Sequence, residues 1–169
     1  KSEELTVMAR IHRARLLIMQ GKIAESRKLF AQLQNQPNLT EQQQHALENT
    51  EITVLVENKA YTQASDRLKA QLTARPKNAR LWYNLAMMQE KLAQYPDMET
   101  SLLHAVEYDP EMSQAYNALG YSLANRNERL PEARSLIQKA ITLNPDDPYL
   151  LDSMGWVEYR LGKLPQAKL

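Results

Sequence analysis

Residues 81–110 read "LWYNLAMMQEKLAQYPDMETSLLHAVEYDP" and residues 115–148 read "AYNALGYSLANRNERLPEARSLIQKAITLNPDDP". The two stretches share an order of residue types and no catalytic residue: an aromatic with Asn and Leu, a small residue, an alanine, then a proline. Trp82 and Tyr116 stand 34 residues apart, as do Pro76 and Pro110, and Pro145 follows Pro110 by 35. Ala86 leads to Ala105 and Pro110, and Gly120 leads to Ala140 and Pro145. Working outward, Ala64 to Pro76 closes an earlier unit, Gly155 to Ala167 opens a later one, and Ala14, Gly21 and Phe30 mark a degenerate first unit. The chain therefore reads as about five repeats, at 7–44, 45–78, 79–112, 113–147 and an incomplete 148–169.

Each repeat reads as a helix, a tight turn and a second helix. Only four glycines and one phenylalanine stand against many Ala, Leu, Gln, Glu, Lys and Arg residues, which lose little rotamer freedom in a helix. Two antiparallel helices approach closely only where small side chains lie at their crossing, the role expected of Gly120, Ala133 and Ala140. Trp82, Leu85, Tyr116, Leu119, Leu102 and Ile137 then fill the space around it. Pro76, Pro110 and Pro145 fall where second helices end, because proline lacks an N–H and clashes with the preceding turn. Pro96, Pro131 and Pro165 fall in first turns, where no hydrogen bond is lost. The expected class is all-α.

On these aromatic, Leu, Gly/Ala, Ala and Pro positions the unit resembles the tetratricopeptide repeat (TPR), closely over 79–167, less so over 45–78 and loosely over 7–40. The resemblance implies a TPR α-solenoid, a right-handed superhelix of about five helix-turn-helix units with the last truncated. Met98, Gln71 and Leu33 stand where the family has small residues, and "NQPNLTEQQQ" at 35–44 adds about four residues between units. Looser packing, or a kink in the superhelix, is expected near that insertion.

The net charge of +1 creates no strong field, so neither nucleic acid nor an anionic membrane is demanded by electrostatics. Apolar runs such as "LLIM" at 16–19 are too short to span a bilayer. Zero cysteines exclude disulfides, thiolate metal sites and a cysteine nucleophile. Glu41, His45 and Glu48 share a helical face, but no second such set exists on another helix, so the reading is a solvated face and no metal. Ser101, Ser135 and Ser153 lack a glycine elbow and a base, and no glycine-rich phosphate loop occurs. Acids in "DPE" at 109–111 and "PDDP" at 145–148 read as first-turn helix caps. The expectation is a chain without catalytic residues or cofactor.

A binding face is a different matter. In stacked hairpins the first helix of each unit lines the inner surface, and helical spacing selects Arg80, Tyr83, Asn84, Met87, Asn117, Tyr121, Tyr149, Asp152, Trp156 and Tyr159. Flat rings offer large contact area with few rotors, and Asn side chains pair with an extended backbone. Trp82 and Tyr116 read instead as core. TPR domains that bind chaperone tails use a Lys, Asn, Asn, Lys, Arg clamp; Arg80, Asn84 and Asn117 echo part of it, but the lysines are missing, so an acidic tail fits poorly. Residues 1–30 add an excess of positive charge, with Arg10, Arg13, Arg15, Lys22, Arg27 and Lys28, read as a solvated helix face.

"NALGY", "LNPDDP" and "DSMGWVEYRLG" within 116–167 resemble the carboxyl-terminal half of bacterial outer-membrane TPR lipoproteins that dock a periplasmic carboxyl-terminal-processing protease, over about a third of the chain. That resemblance implies a scaffold that recruits the protease and its substrates, in the periplasm and anchored to the outer membrane through a lipid on a longer chain; the alternative location is cytoplasmic. The alternative function is the recognition arm of a larger enzyme such as a glycosyltransferase. The chain itself reads as a fragment of a longer protein. Leu161, Leu164 and Leu169 predict self-association through an uncapped last unit.

Overall fold

A computed structural model describes residues 2–36 and 38–162. Among these residues the chain forms nine α-helices and no strand: α1 (Ser2–Met19), α2 (Ile23–Gln34), α3 (Glu41–Glu57), α4 (Tyr61–Ala74), α5 (Ala79–Lys91), α6 (Tyr95–Tyr108), α7 (Ser113–Asn125), α8 (Leu130–Leu143) and α9 (Pro148–Arg160). The all-α class is as expected.

The same turn closes every odd-numbered helix. Gly21, Lys59, Ala93, Asn127 and Gly162 all take positive φ, between 56° and 77°, and from Lys59 onward they recur at the repeat spacing of 34, 34 and 35 residues. Around Ala93 the hydrogen bonds are those of a helix closed by a left-handed residue: Ala93 N–H donates to Glu90 O (2.9 Å) and Gln94 N–H to Gln89 O (2.8 Å). Asn127 N–H to Ala124 O (3.1 Å) and Glu128 N–H to Leu123 O (2.9 Å) repeat the pattern. Three of the five positions are not glycine, so nothing in the composition announces this turn.

Gly21 and Lys59 lie 38 residues apart, four more than one period. The sequence placed the surplus in a linker through residue 44. The structure corrects this: α3 begins at Glu41 and runs 17 residues, against 13 for α5, α7 and α9, so most of the insertion lengthens a helix. The cause is a capping box. Thr40 Oγ1 accepts from Gln43 N–H (3.3 Å) while Gln43 Oε1 accepts from Thr40 N–H (2.8 Å), which starts the helix a turn early. The prolines behave as their chemistry dictates. Pro76, Pro110 and Pro145 lie two residues beyond α4, α6 and α8, and Pro96 and Pro131 occupy the first turns of α6 and α8. Pro165, Leu164 and Leu169 lie outside the described residues, as does most of the expected fifth unit's second half.

The chain divides into two compact units, Lys1–Leu68 and Lys69–Leu169. In the first, α1, α2 and α3 enclose Val7, Ile11, Phe30, Leu33 and Leu47. There α1 and α2 touch through Ser26, whose hydroxyl donates to Ala14 O (2.8 Å) with both residues fully buried. In the second, Ala86, Met98, Leu102 and Ala105 of the α5–α6 hairpin pack with Ala115 and Leu119 of α7, while Leu123, Ala124, Ala133 and Ile137 of α7–α8 pack with Met154 and Val157 of α9. A Cβ on Gly120 would lie 2.7 Å from Ala133 O and 2.8 Å from Ile137 Cγ1, so the α7–α8 crossing requires glycine there. The large residues at small positions are buried: Leu33 and Met98 fully, and Gln71 as well.

Candidate partner-binding face

The expected face is built from α5, α7 and α9. Two of these helices begin on side-chain caps: Asn78 accepts from Leu81 N–H (3.1 Å), and Asp147 accepts from Tyr149 N–H (2.9 Å) ahead of Pro148 in the first turn. The third does not. Asp109, expected as a first-turn cap, instead accepts from Glu111 N–H (3.1 Å) in the turn before α7, whose cap position holds Met112. With the helices started in register, the repeat period brings Tyr83, Asn117 and Asp152 to one position of α5, α7 and α9, and Met87, Tyr121 and Trp156 to another. Of these helices, α7 and α9 pack directly on each other.

The ten residues divide by burial. Tyr149 is 79% exposed, Tyr159 53% and Tyr121 37%, with Arg80 and Asp152 also in solvent. Tyr83, Asn84, Met87, Asn117 and Trp156 are half-buried. Tyr83 and Met87 lean on the α5–α6–α7 core and Trp156 on the α7–α8–α9 core, so the inner part of the face is shared with the core. Burial raises the Tyr83 phenol pKa, partly countered by the Arg80 guanidinium and reinforced by Glu90. Arg80 lies over the Tyr83 ring at 5.8 Å. Trp156 stacks on Tyr159 with ring centres 5.6 Å apart, and Arg160 covers the indole at 5.4 Å. Asn117 Oδ1 and Trp156 Nε1 are both buried and make no hydrogen bond with the described residues.

Sequence reasoning passed over Arg160, although its place four residues after Trp156 on α9 was a usable signal. Trp82, expected in the core, packs half-buried against the α5–α6–α7 core; its indole N–H donates to Pro76 O (2.7 Å), its ring packs on His104 at 4.5 Å, and it also lines a cavity. Arg13, Arg15, Lys22, Arg27 and Lys28 are exposed on α1, α2 and their turn, while Arg10, half-buried, donates to Gln32 (3.3 Å). No described helix is long and apolar enough to cross a membrane, and no three potential ligands among His, Asp and Glu gather as a metal set among the described residues.

Residues 89–148 match the family model of the tetratricopeptide repeat. Over 161 residues the chain is 37% identical to the TPR repeat-containing protein PA4667 of Pseudomonas aeruginosa, a match that takes in 95% of this chain and 27% of that protein. The chain thus spans about a quarter of the length of this relative. Among solved structures it resembles MamA from Desulfovibrio magneticus RS-1 (TM-score 0.74, 18% identity, 95% of this chain and 88% of that one). It also resembles BtubC from P. vanneervenii (0.76, 17%, 92% and 72%) and YrrB, described as a TPR protein with an unusual peptide-binding site (0.66, 21%, 94% and 79%). These likenesses are in fold.

Proposed function

From an all-α TPR solenoid, a fold that serves as a scaffold for protein–protein interaction, we propose that this chain holds a segment of a partner protein along the face made by α5, α7 and α9. The observation that carries the reading is a set of exposed rings on α7 and α9: Tyr121, Tyr149 and Tyr159 stand in solvent, and Tyr159 stacks on Trp156. Exposed aromatic rings on rigid helices lose little entropy on binding and supply most of the contact energy of a typical interface. Asn84 and Asn117 offer amide groups to the backbone of an extended segment. Arg80 and Arg160 add two cations to the face, each already over a ring, which favours a segment with carboxylates between apolar anchors. Chemistry is left to the partner, because the face offers no nucleophile with a base beside it.

In its specific form, the chain is part of a bacterial cell-envelope adaptor that recruits a periplasmic carboxyl-terminal-processing protease and its substrates, with outer-membrane attachment supplied by a lipid on the full-length protein. What supports this is the likeness of 116–167 to that family of adaptors. The test is titration of the chain with the purified protease of the same bacterium by calorimetry. Asn84→Ala with Tyr121→Ala should weaken binding at least tenfold; undiminished binding by that variant removes the face, and no binding by the unaltered chain removes the protease.

A further inference from the structure

α5 carries a second face. Trp82, Leu85 and Gln89, spaced i, i+3 and i+7, border a cavity of about 420 Å³ that also takes Leu72 from α4 and Ser101 from α6. Leu72, Leu85, Gln89 and Ser101 are buried and form its depth, where the Ser101 hydroxyl donates to Gln89 Oε1 (2.8 Å). The rim is charged on both sides, with Lys69 exposed on α4 and Asp97 exposed on α6. The site uses none of the ten residues of the α5–α7–α9 face.

We infer that this cavity is a second docking site, which takes two apolar side chains, two turns apart on a partner's amphipathic helix, flanked by an acidic residue toward Lys69 and a basic one toward Asp97. Three features of the site select that occupant. Its volume lies within the range of specific binding cavities, about 300–1,000 Å³, and exceeds what one side chain fills. The run from Trp82 to Gln89 is two helical turns, about 10 Å, which matches a pair of anchors at i and i+7 on an incoming helix. The opposed charges at the rim fix the direction in which that helix lies, since the reverse orientation places like charges together.

The two tryptophans of the chain separate the two sites. Trp82 borders the cavity and Trp156 belongs to the α5–α7–α9 face, so each indole N–H resonance reports one of them. The experiment selects a phage-displayed library of helix-forming peptides on the folded chain and titrates the enriched peptides while both indole resonances are followed. Expected are sequences with large apolar residues at i and i+7 between an acid and a base, which shift Trp82 and leave Trp156 in place. Lys69→Glu, an exposed change that keeps the helical circular dichroism, should weaken such a peptide about tenfold, and selection on Lys69→Glu with Asp97→Lys should return the flanking charges reversed. Asn84→Ala with Tyr121→Ala should bind the same peptides unchanged, so loss of the first site does not remove the second. The inference is overturned if no sequence is enriched, if the enriched peptides move Trp156 instead, or if the flanking charges ignore the double reversal. A concentration-dependent dimer abolished by Lys69→Glu would give the cavity to a second copy and overturn it as well.

Discussion

Ala93 is an alanine where the backbone asks for glycine. Its φ of 56° puts Cβ against the following carbonyl, a strain of about 1–2 kcal/mol in other left-handed residues, and the side chain is exposed with no packing to lose. Glycine removes the strain and gives back part of the gain through the greater freedom of the unfolded chain. Ala93→Gly should therefore stabilise the protein by about 0.5–1 kcal/mol, read as a higher urea midpoint at unchanged slope. A lower midpoint would mean that the turn is held by something other than its backbone conformation. The sequence reader could not see this residue as special, because the position is Gly21, Lys59, Ala93, Asn127 and Gly162 in turn, and only the conformation is common to all. The candidate site was legible unevenly for a similar reason. Periodicity gives the direction of Tyr121 and Tyr159 from a helix, but how far a neighbouring helix covers Tyr83 or Trp156 depends on where that neighbour packs.

Elements begin and end on local chemistry that the sequence states openly, provided the right signal is weighed. Thr40 with Gln43 is a capping box inside the stretch read as a linker, and it outweighed the loop character of the preceding "NQPN". Thr40→Ala should cost about 1 kcal/mol and release the first turn of α3. Amide exchange of Gln43 and Gln44 should quicken while the middle of α3, around Val54 and Leu55, stays protected; exchange that is unchanged at the first turn would show that the box does not start the helix. At the hairpin level, Met98 stands where the repeat pattern has a small residue and is buried with Ala86, Leu102 and Ala105, a place that a long flexible side chain can fill.

At the scale of the whole molecule, a chain of repeated hairpins is held together by contacts between neighbours, and damage should stay local. Gly120→Ala tests this. A methyl 2.7 Å from the Ala133 carbonyl forces α7 and α8 apart, at a cost of about 1–3 kcal/mol that outweighs the roughly 1 kcal/mol by which alanine favours a helix. Hydrogen exchange should show lost protection in α7, α8 and α9, with α1 to α3 nearly unaffected. Equal loss everywhere would show that the chain folds as one cooperative block.

By itself the sequence determined the all-α class, the repeat period, the points where second helices stop, and the small residues at the helix crossings. Each of these follows from contacts within one hairpin, or from the covalent limits of proline and glycine, and so is written in short-range spacing. Only the tertiary structure decided how deeply each ring on α5, α7 and α9 is buried, that Trp82 borders a cavity, and that Lys69 and Asp97 both line it. Those properties arise where several helices come together, and the space left between them is set by the volumes of all their side chains together.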